Sequence, residues 1–222
     1  MSHAVTEERK PGEPPHIHHM DSVTAYHSAK FGMWMFLATE VLLFGGLFCA
    51  FALFRWMYLD GFHEASQELS VPLGATNTVV LLISSFFAAL AVDAAQHGNN
   101  KKVITYLSVT LTCAVGFLII KGIEYHGKWQ HGLFPFTENW TNGAAFHGHE
   151  GHQAFFGLYF IMTGLHALHV LIGMVILIWA MRKAFKKEYS QVYYTPVEMG
   201  ALYWHLVDLI WIYLFPLLYL VG

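Results

Sequence analysis

Between Phe31 and Phe54 the sequence reads FGMWMFLATEVLLFGGLFCAFALF, an apolar run whose one formal charge is Glu40. No other stretch restricts the fold as strongly: a run of this length and composition is a membrane-spanning helix, and the carboxyl group lies inside it. With a rise of about 1.5 Å per residue, Glu40 lies roughly 15 Å past Lys30, the last cation before the run, and so near the middle of a hydrocarbon layer about 30 Å thick. An ionised carboxylate at that depth costs at least ~2.5 kcal/mol, so it persists only with a partner, a proton or a task.

Four further blocks of the same character follow, Val71 to Val92, Val103 to Ile120, Gln153 to Met181 and Met199 to Gly222. In a chain of 222 residues that is 55% hydrophobic and 12% charged, such blocks describe a polytopic helical membrane protein. The expected fold is all-α, a bundle of five transmembrane helices over residues 30–222, with spans at about 31–57, 72–96, 102–125, 153–182 and 198–221. Residues 1–29 are polar and carry Pro11, Gly12, Pro14 and Pro15, so they read as a flexible tail with no cleavable signal. Trp34, Trp56, Tyr58, Tyr106, Trp129, Trp179, Tyr203 and Tyr219 fall mostly near block ends, at the depth where amphipathic rings anchor in headgroups.

The cations are divided unevenly between the loops. Arg9, Lys10, Lys30, Lys101, Lys102, Arg182, Lys183, Lys186 and Lys187 share one side, whereas Arg55 and Lys128 are alone on the other and Lys121 lies within a span. The positive-inside rule therefore predicts a cytoplasmic N-terminus and an external C-terminus, with acidic outer loops that contain Asp60, Glu64, Glu68, Glu138 and Glu150. Cys49 and Cys113 lie in apolar spans without a CxxC partner and read as small buried hydrophobes.

Along the chain, Gly45 and Gly46 follow Glu40 and would let a helix or lipid tail come close. Span 2 carries Asn77, Thr78, Ser84 and Ser85, read as interhelical hydrogen-bonding groups. At the end of span 3, Lys121 and Glu124 are spaced to pair near the outer surface. The segment from His126 to His152 contains FHGHEGH, with His147, His149 and His152; these have the right chemistry for a divalent metal but no spacing that fixes a geometry, and a solvated outer loop is the better reading. The same holds for His16, His18 and His19 in the tail.

Spans 4 and 5 bring the remaining buried candidates, His166 with His169 and His205 with Asp208, each pair sharing a helix face about half-way through the membrane. Pro216 is placed to kink the outer end of span 5. Two acids and three imidazoles can satisfy one another, which predicts that spans 1, 4 and 5 pack together with Glu40, His166, His169, His205 and Asp208 facing inward. A hydrogen-bonded packing network is the plainer role for His205 and Asp208; Glu40 is equally a candidate for proton handling or for lipid and partner binding. Arg182 and Lys183, at the cytoplasmic end of span 4, are candidates for phospholipid headgroups. Counting excludes several redox roles: three intramembrane histidines are half of what a heme-copper catalytic centre needs, and there is no CxxCH and no cysteine pair for dinuclear copper. The chain is expected to hold no cofactor or metal of its own.

In five places the sequence resembles subunit III of the heme-copper cytochrome c oxidases: FGMWMFLATEVLLFGGLF around Glu40, NTVVLL in span 2, GIEYH after span 3, GLHALHVLIG in span 4 and EMGALYWHLVDLIWIYLFPLLYL in span 5. The resemblance covers residues from about Lys30 onward, and the span 4 and span 5 segments are its specific parts. It implies a cofactor-free helical subunit beside catalytic subunit I, with hemes and copper in partner subunits, which binds phospholipid and supports turnover and proton uptake without performing the oxygen chemistry. Glu40 matches the family's buried, carbodiimide-reactive glutamate, and Glu124, His166, His169, His205 and Asp208 match positions of its buried polar network. Many family members have seven spans, with a lipid-filled cleft beside the first two; this sequence is similar to the five-span bacterial form, in which that cleft lacks one wall. The implied location is the bacterial inner membrane, in a terminal oxidase and a larger respiratory assembly, with no nucleic-acid partner. The alternatives are the same fold in a quinol oxidase or nitric oxide reductase complex, and a free-standing proton or metal transporter, against which stand the odd span count and the lack of an inverted repeat.

Overall fold

The structure, a computed structural model, describes residues 22–135, 140 and 151–221. Among these residues there are six helices: α1 (Ser22–Met57), α2 (Leu59–Gln67), α3 (Val71–Gln96), α4 (Asn100–Gln130), α5 (His152–Phe185) and α6 (Thr195–Tyr219). All but α2 are long and apolar enough to cross a membrane, so the chain is an all-α, five-span membrane protein. His16, His18, His19, His147 and His149 lie outside the described residues.

The helices obey ordinary start and stop chemistry. Pro72 and Pro196 occupy the first turns of α3 and α6, where a missing N–H leaves nothing unsatisfied. Between α3 and α4 the chain reverses at Gly98, whose φ of +69° suits a residue without a Cβ, and the Asn99 side chain then accepts from the Lys102 N–H at 3.2 Å. That turn meets the α5 to α6 connection, where the Asn100 amide donates to the Tyr189 carbonyl at 3.0 Å. Lys30, Lys101, Lys102, Arg182 and Lys183 share this basic end of the bundle, and α2 caps the opposite end.

Four helices close a ring in the order α3, α4, α5, α6, each packed on its two neighbours, and α1 lies outside the ring against α5 and α6. Close approach depends on two glycines. A Cβ at Gly74 of α3 would stand 2.8 Å from the Phe215 ring of α6, and one at Gly173 of α5 would stand 2.9 Å from the fully buried Trp204 ring. Gly173→Ala is accordingly expected to cost about 1–3 kcal/mol and lower the thermal midpoint of the purified protein, because Trp204 has nowhere to move. Gly45→Ala, which faces open space, is the control that should leave the midpoint unchanged.

Polar rungs join α3 to α6. The Trp211 indole N–H donates to Thr78 Oγ1 at 3.1 Å and the Trp204 indole N–H to Ser84 Oγ at 3.0 Å, while Ser85 Oγ lies 2.6 Å from His205 Nδ1. Three of the four span 2 groups are thus interhelical rungs. Asn77 is not: it is fully buried and makes no side-chain hydrogen bond to a described residue.

Three boundaries differ from the sequence expectation. α1 starts at Ser22, ahead of the apolar run, because a further polar turn has something to hold: the Tyr26 hydroxyl and the Lys30 ammonium both donate to the Glu198 carboxylate of α6, at 3.0 Å and 3.2 Å. The segment after α1, expected as a loop, is the short helix α2, whose Phe62 is fully buried against Phe51 and Phe155 at ring separations of 5.3 and 5.4 Å. α4 runs on past Tyr125 to Gln130, since Lys128 lies buried over the Phe156 ring and donates to the Glu68 carbonyl at 2.8 Å.

Only one stripe of α1 is covered. Leu37, Phe44 and Phe51 are buried, one heptad apart, and Met33 and Phe48 pack beside them. Phe31, Trp34, Leu42, Leu43 and Leu53 lie on the open side, a face suited to lipid or to another subunit. Glu40 falls on the covered stripe, between Leu37 and Phe44.

Candidate functional site

That register carries the Glu40 carboxyl to α5. Its Oε2 lies 2.9 Å from His169 Nε2, with side-chain exposures of 14% for Glu40 and 9% for His169. His169 Nδ1 lies 2.8 Å from the Leu165 carbonyl oxygen, which can only accept, so Nδ1 carries a hydrogen. The Nε2 to Oε2 contact therefore holds one further proton, on either the imidazole or the carboxyl. In both placements the pair is neutral overall, which removes the charge that α1 would otherwise carry into the bilayer. Phe44 of α1 presses on the His169 ring at 5.4 Å, and the Tyr203 hydroxyl of α6 donates to the His169 backbone carbonyl at 3.2 Å, so α1 holds the imidazole and α6 the turn that carries it.

The other sequence-predicted groups do not join this pair. His166 is three residues from His169, and the helical offset turns it into the ring of four helices. There it is fully buried between Phe117 and Trp211, at ring separations of 5.5 and 5.2 Å, with neither nitrogen hydrogen-bonded to a described residue. His205 turns to α3 and Ser85, and Asp208, also buried, lies beside the same serine with Oδ1 unpartnered. The single cluster of two acids and three imidazoles expected from the sequence is therefore divided. The reason is topological: α6 stands between α1 and α3, and the His205 and Asp208 face of α6 looks at α3.

Glu124 belongs to a second buried centre, nearer the end that α2 caps. Its Oε2 accepts from Lys121 Nζ at 3.0 Å, and its Oε1 accepts from the hydroxyls of Tyr159 at 2.9 Å and Tyr219 at 2.6 Å. Lys121 also donates to those two phenolic oxygens, at 3.2 and 2.9 Å, so all three of its N–H groups are used. The pair is deeper than a surface bridge, with side-chain exposures of 5% and 4%, and ties α4 to α5 and α6. The spacing of Lys121 and Glu124 in the sequence pointed to the pairing. It gave no indication of the two tyrosines, which come from other helices: Tyr219 reads as a headgroup aromatic and Tyr159 carries no mark of its own.

At the basic end, an apolar cleft of about 880 Å³ opens between α1, α5 and α6, lined by Tyr26, Met33, Trp179, Tyr193 and Met199 among others. Lys183 lies at its edge, 4.7 Å above the Trp179 ring and donating to the Tyr193 hydroxyl at 3.1 Å; Arg182 beside it is exposed. Among the described residues no three His, Cys, Asp or Glu side chains converge as a metal site requires. His152 faces Glu64 of α2 at 3.5 Å. Of the membrane histidines, His169 has both nitrogens engaged, His205 faces a serine, and His166 is closed in by aromatic rings.

The sequence family described as cytochrome c oxidase subunit III matches residues 15–222. Cytochrome c oxidase subunit 3 of Thermostichus vulcanus is 33% identical over 193 residues, 85% of this chain and 85% of that protein. Quinol oxidase subunit 3 of Bacillus spizizenii is 30% identical over 191 residues, covering 86% of each chain, and cytochrome c oxidase subunit 3 of Corynebacterium diphtheriae is 29% identical over 192, again 86% of each. Since the match takes in all five spans and both members of the Glu40 and His169 pair, the chain belongs to the cytochrome c oxidase subunit III family of the heme-copper oxidases.

Proposed function

We propose that this chain is the non-catalytic subunit III of a bacterial heme-copper terminal oxidase, a complex of the inner membrane that passes electrons from cytochrome c to oxygen and moves protons. The hemes and copper belong to partner subunits, among them catalytic subunit I, and the complex takes its place in a larger respiratory assembly. The basic end faces the cytoplasm on the positive-inside rule. The observation that carries the reading is the Glu40 and His169 pair, in contact at 2.9 Å and buried between α1 and α5, on a helix whose opposite face is open and apolar. Such a unit can support proton uptake by a neighbouring subunit and hold α1 in place, and it offers no site for oxygen chemistry.

The cleft at the basic end supports a phospholipid role. Its walls are apolar enough for acyl chains, and Lys183, which contacts the lining residues Trp179 and Tyr193, with the exposed Arg182 beside it, is a cation for a headgroup phosphate. A second reading, the same role in a quinol oxidase, is favoured by the match to the Bacillus spizizenii quinol oxidase subunit 3 over most of both chains.

The test is purification in mild detergent from native membranes. Heme absorption and partner chains should accompany the protein, and the preparation should consume oxygen with reduced cytochrome c as donor. Oxygen uptake with quinol alone would select the second reading. A colourless preparation of this chain by itself, with proton or metal flux in liposomes, would replace both with a transporter.

A further inference from the structure

Two turns beyond Lys121 on the same face of α4, Lys128 is a second buried lysine, 8% exposed, and its partners are of another kind. It donates to the Glu68 backbone carbonyl at 2.8 Å and stands 5.1 Å above the Phe156 ring. Among the described residues it makes no ion pair. One carbonyl leaves two of its three N–H groups unspent and its charge uncompensated. A charge taken out of water is normally kept where an opposite charge meets it. For Lys121 that charge is Glu124, at 3.0 Å; for Lys128 the described residues supply none.

Lys128 lines a second cleft, of about 520 Å³, at the end that α2 caps, together with Glu68, Ser70, Leu73, Ile123 and Glu124 among others. The polar side of this cleft favours an anion. α3 begins there and turns the positive end of its backbone dipole to the cleft, and the Ser70 hydroxyl at its cap position bonds to no helical N–H. Of the two acids, Glu124 is occupied by Lys121, Tyr159 and Tyr219, and Glu68 is exposed and meets Lys128 through its carbonyl alone.

Depth and shape narrow the class of anion. Trp129, next to Lys128, is 58% exposed, as an aromatic ring at the headgroup level is. Ile123 on the cleft wall is 63% exposed and continues a stripe with Ile119 and Val115, four residues apart on the open side of α4. The stripe runs about 12 Å from the cleft toward the bilayer centre. It is a track for an acyl chain, with the ammonium at its head.

We propose that this cleft is a phospholipid site, in which Lys128 and the Ser70 hydroxyl hold the headgroup phosphodiester and the stripe of Val115, Ile119 and Ile123 takes an acyl chain. It lies at the opposite end of the bundle from the basic cleft and is built from α3 and α4, where the basic cleft uses α1, α5 and α6. The phosphate supplies the negative charge that Lys128 lacks, so headgroup and ammonium hold each other. The site is made of this chain's own residues and does not depend on which complex the chain serves.

The test is photolabelling of the purified complex in vesicles of phosphatidylglycerol and phosphatidylethanolamine, with a trace of each lipid carrying a diazirine on one acyl chain. Labelled residues are read by peptide mass spectrometry, and Ile119 and Ile123 are expected among them. Lys128→Gln keeps a donor for the Glu68 carbonyl and removes the charge, and should lower labelling at these two residues about tenfold. Gly127→Leu should do the same without altering Lys128, since Gly127 lines the cleft and a Cβ there meets nothing within 4 Å. Gly122→Leu, equally open and off the cleft, should label as the wild type. Wild-type labelling in both Lys128→Gln and Gly127→Leu would reduce the lipid to unselective bilayer contact and overturn the proposal. Loss of the label on adding inorganic phosphate would assign the site to the free ion, and a carbodiimide crosslink from Lys128 to a carboxylate of another chain would assign it to a protein partner; either result overturns it. If Lys128→Gln does not assemble, Gly127→Leu decides alone.

Discussion

Lys121→Met is expected to lower the stability of the bundle by about 3–5 kcal/mol, the cost of leaving one member of a buried ion pair without the other. The Glu124 carboxylate would keep its two phenolic donors and lose its cation, in surroundings where its side chain is only 4% exposed. The measurement is the yield and thermal midpoint of the protein in detergent. Lys121→Met combined with Glu124→Leu should recover most of the loss, because two apolar side chains are easier to bury than one uncompensated charge. A single variant as stable as the wild type would mean that the pair does not fasten α4 to α5 and α6.

Glu40→Ala is expected to act on function more than on assembly. The complex should form and keep its heme spectrum, because α1 retains Leu37, Phe44 and Phe51 against the ring. It should, however, lose bound phospholipid or inactivate severalfold faster during sustained turnover. Removing the carboxyl leaves His169 Nε2 without its partner in a site 9% exposed, a loss of about 1–3 kcal/mol at that contact. Glu40→Gln keeps a hydrogen-bonding group and gives up the mobile proton. If proton handling is the task, it should behave like Glu40→Ala under turnover; if anchoring of α1 is the task, it should behave like the wild type. Wild-type lipid content and wild-type lifetime in Glu40→Ala would remove the functional role.

The spans were legible because each depends on a property of the local sequence, a long apolar run. Glu40 stood out for the same reason, as one charge in such a run, and Lys121 with Glu124 because a helix sets their separation. Partner choice across helices was not legible. The sequence places His166, His169, His205 and Asp208 at similar depths, and depth alone suggested a common cluster. Which of them meet depends on azimuth and on ring order, and α6 between α1 and α3 turned His205 toward Ser85. Tyr219 was missed because an amphipathic ring near a span end serves equally well as a headgroup anchor or as a donor to a buried carboxylate, and Tyr159 because one ring in an aromatic-rich span carries no mark of its partner. The helix α2 escaped notice because nine residues with Asp60 and Glu64 around one buried Phe62, followed by Glu68, read as an acidic loop.

The bond between Glu40 and His169 joins residues 129 positions apart. At roughly 5–20 residues per second, Glu40 would wait about 6 to 26 seconds after its own synthesis before the imidazole exists. During that interval the acid is in the bilayer without the group that later neutralises it, and α1 has neither α5 nor α6 to lean on. Biogenesis of this chain thus has a built-in delay, and a nascent α1 must be held by the insertion machinery or by an already assembled neighbour until the last two helices arrive.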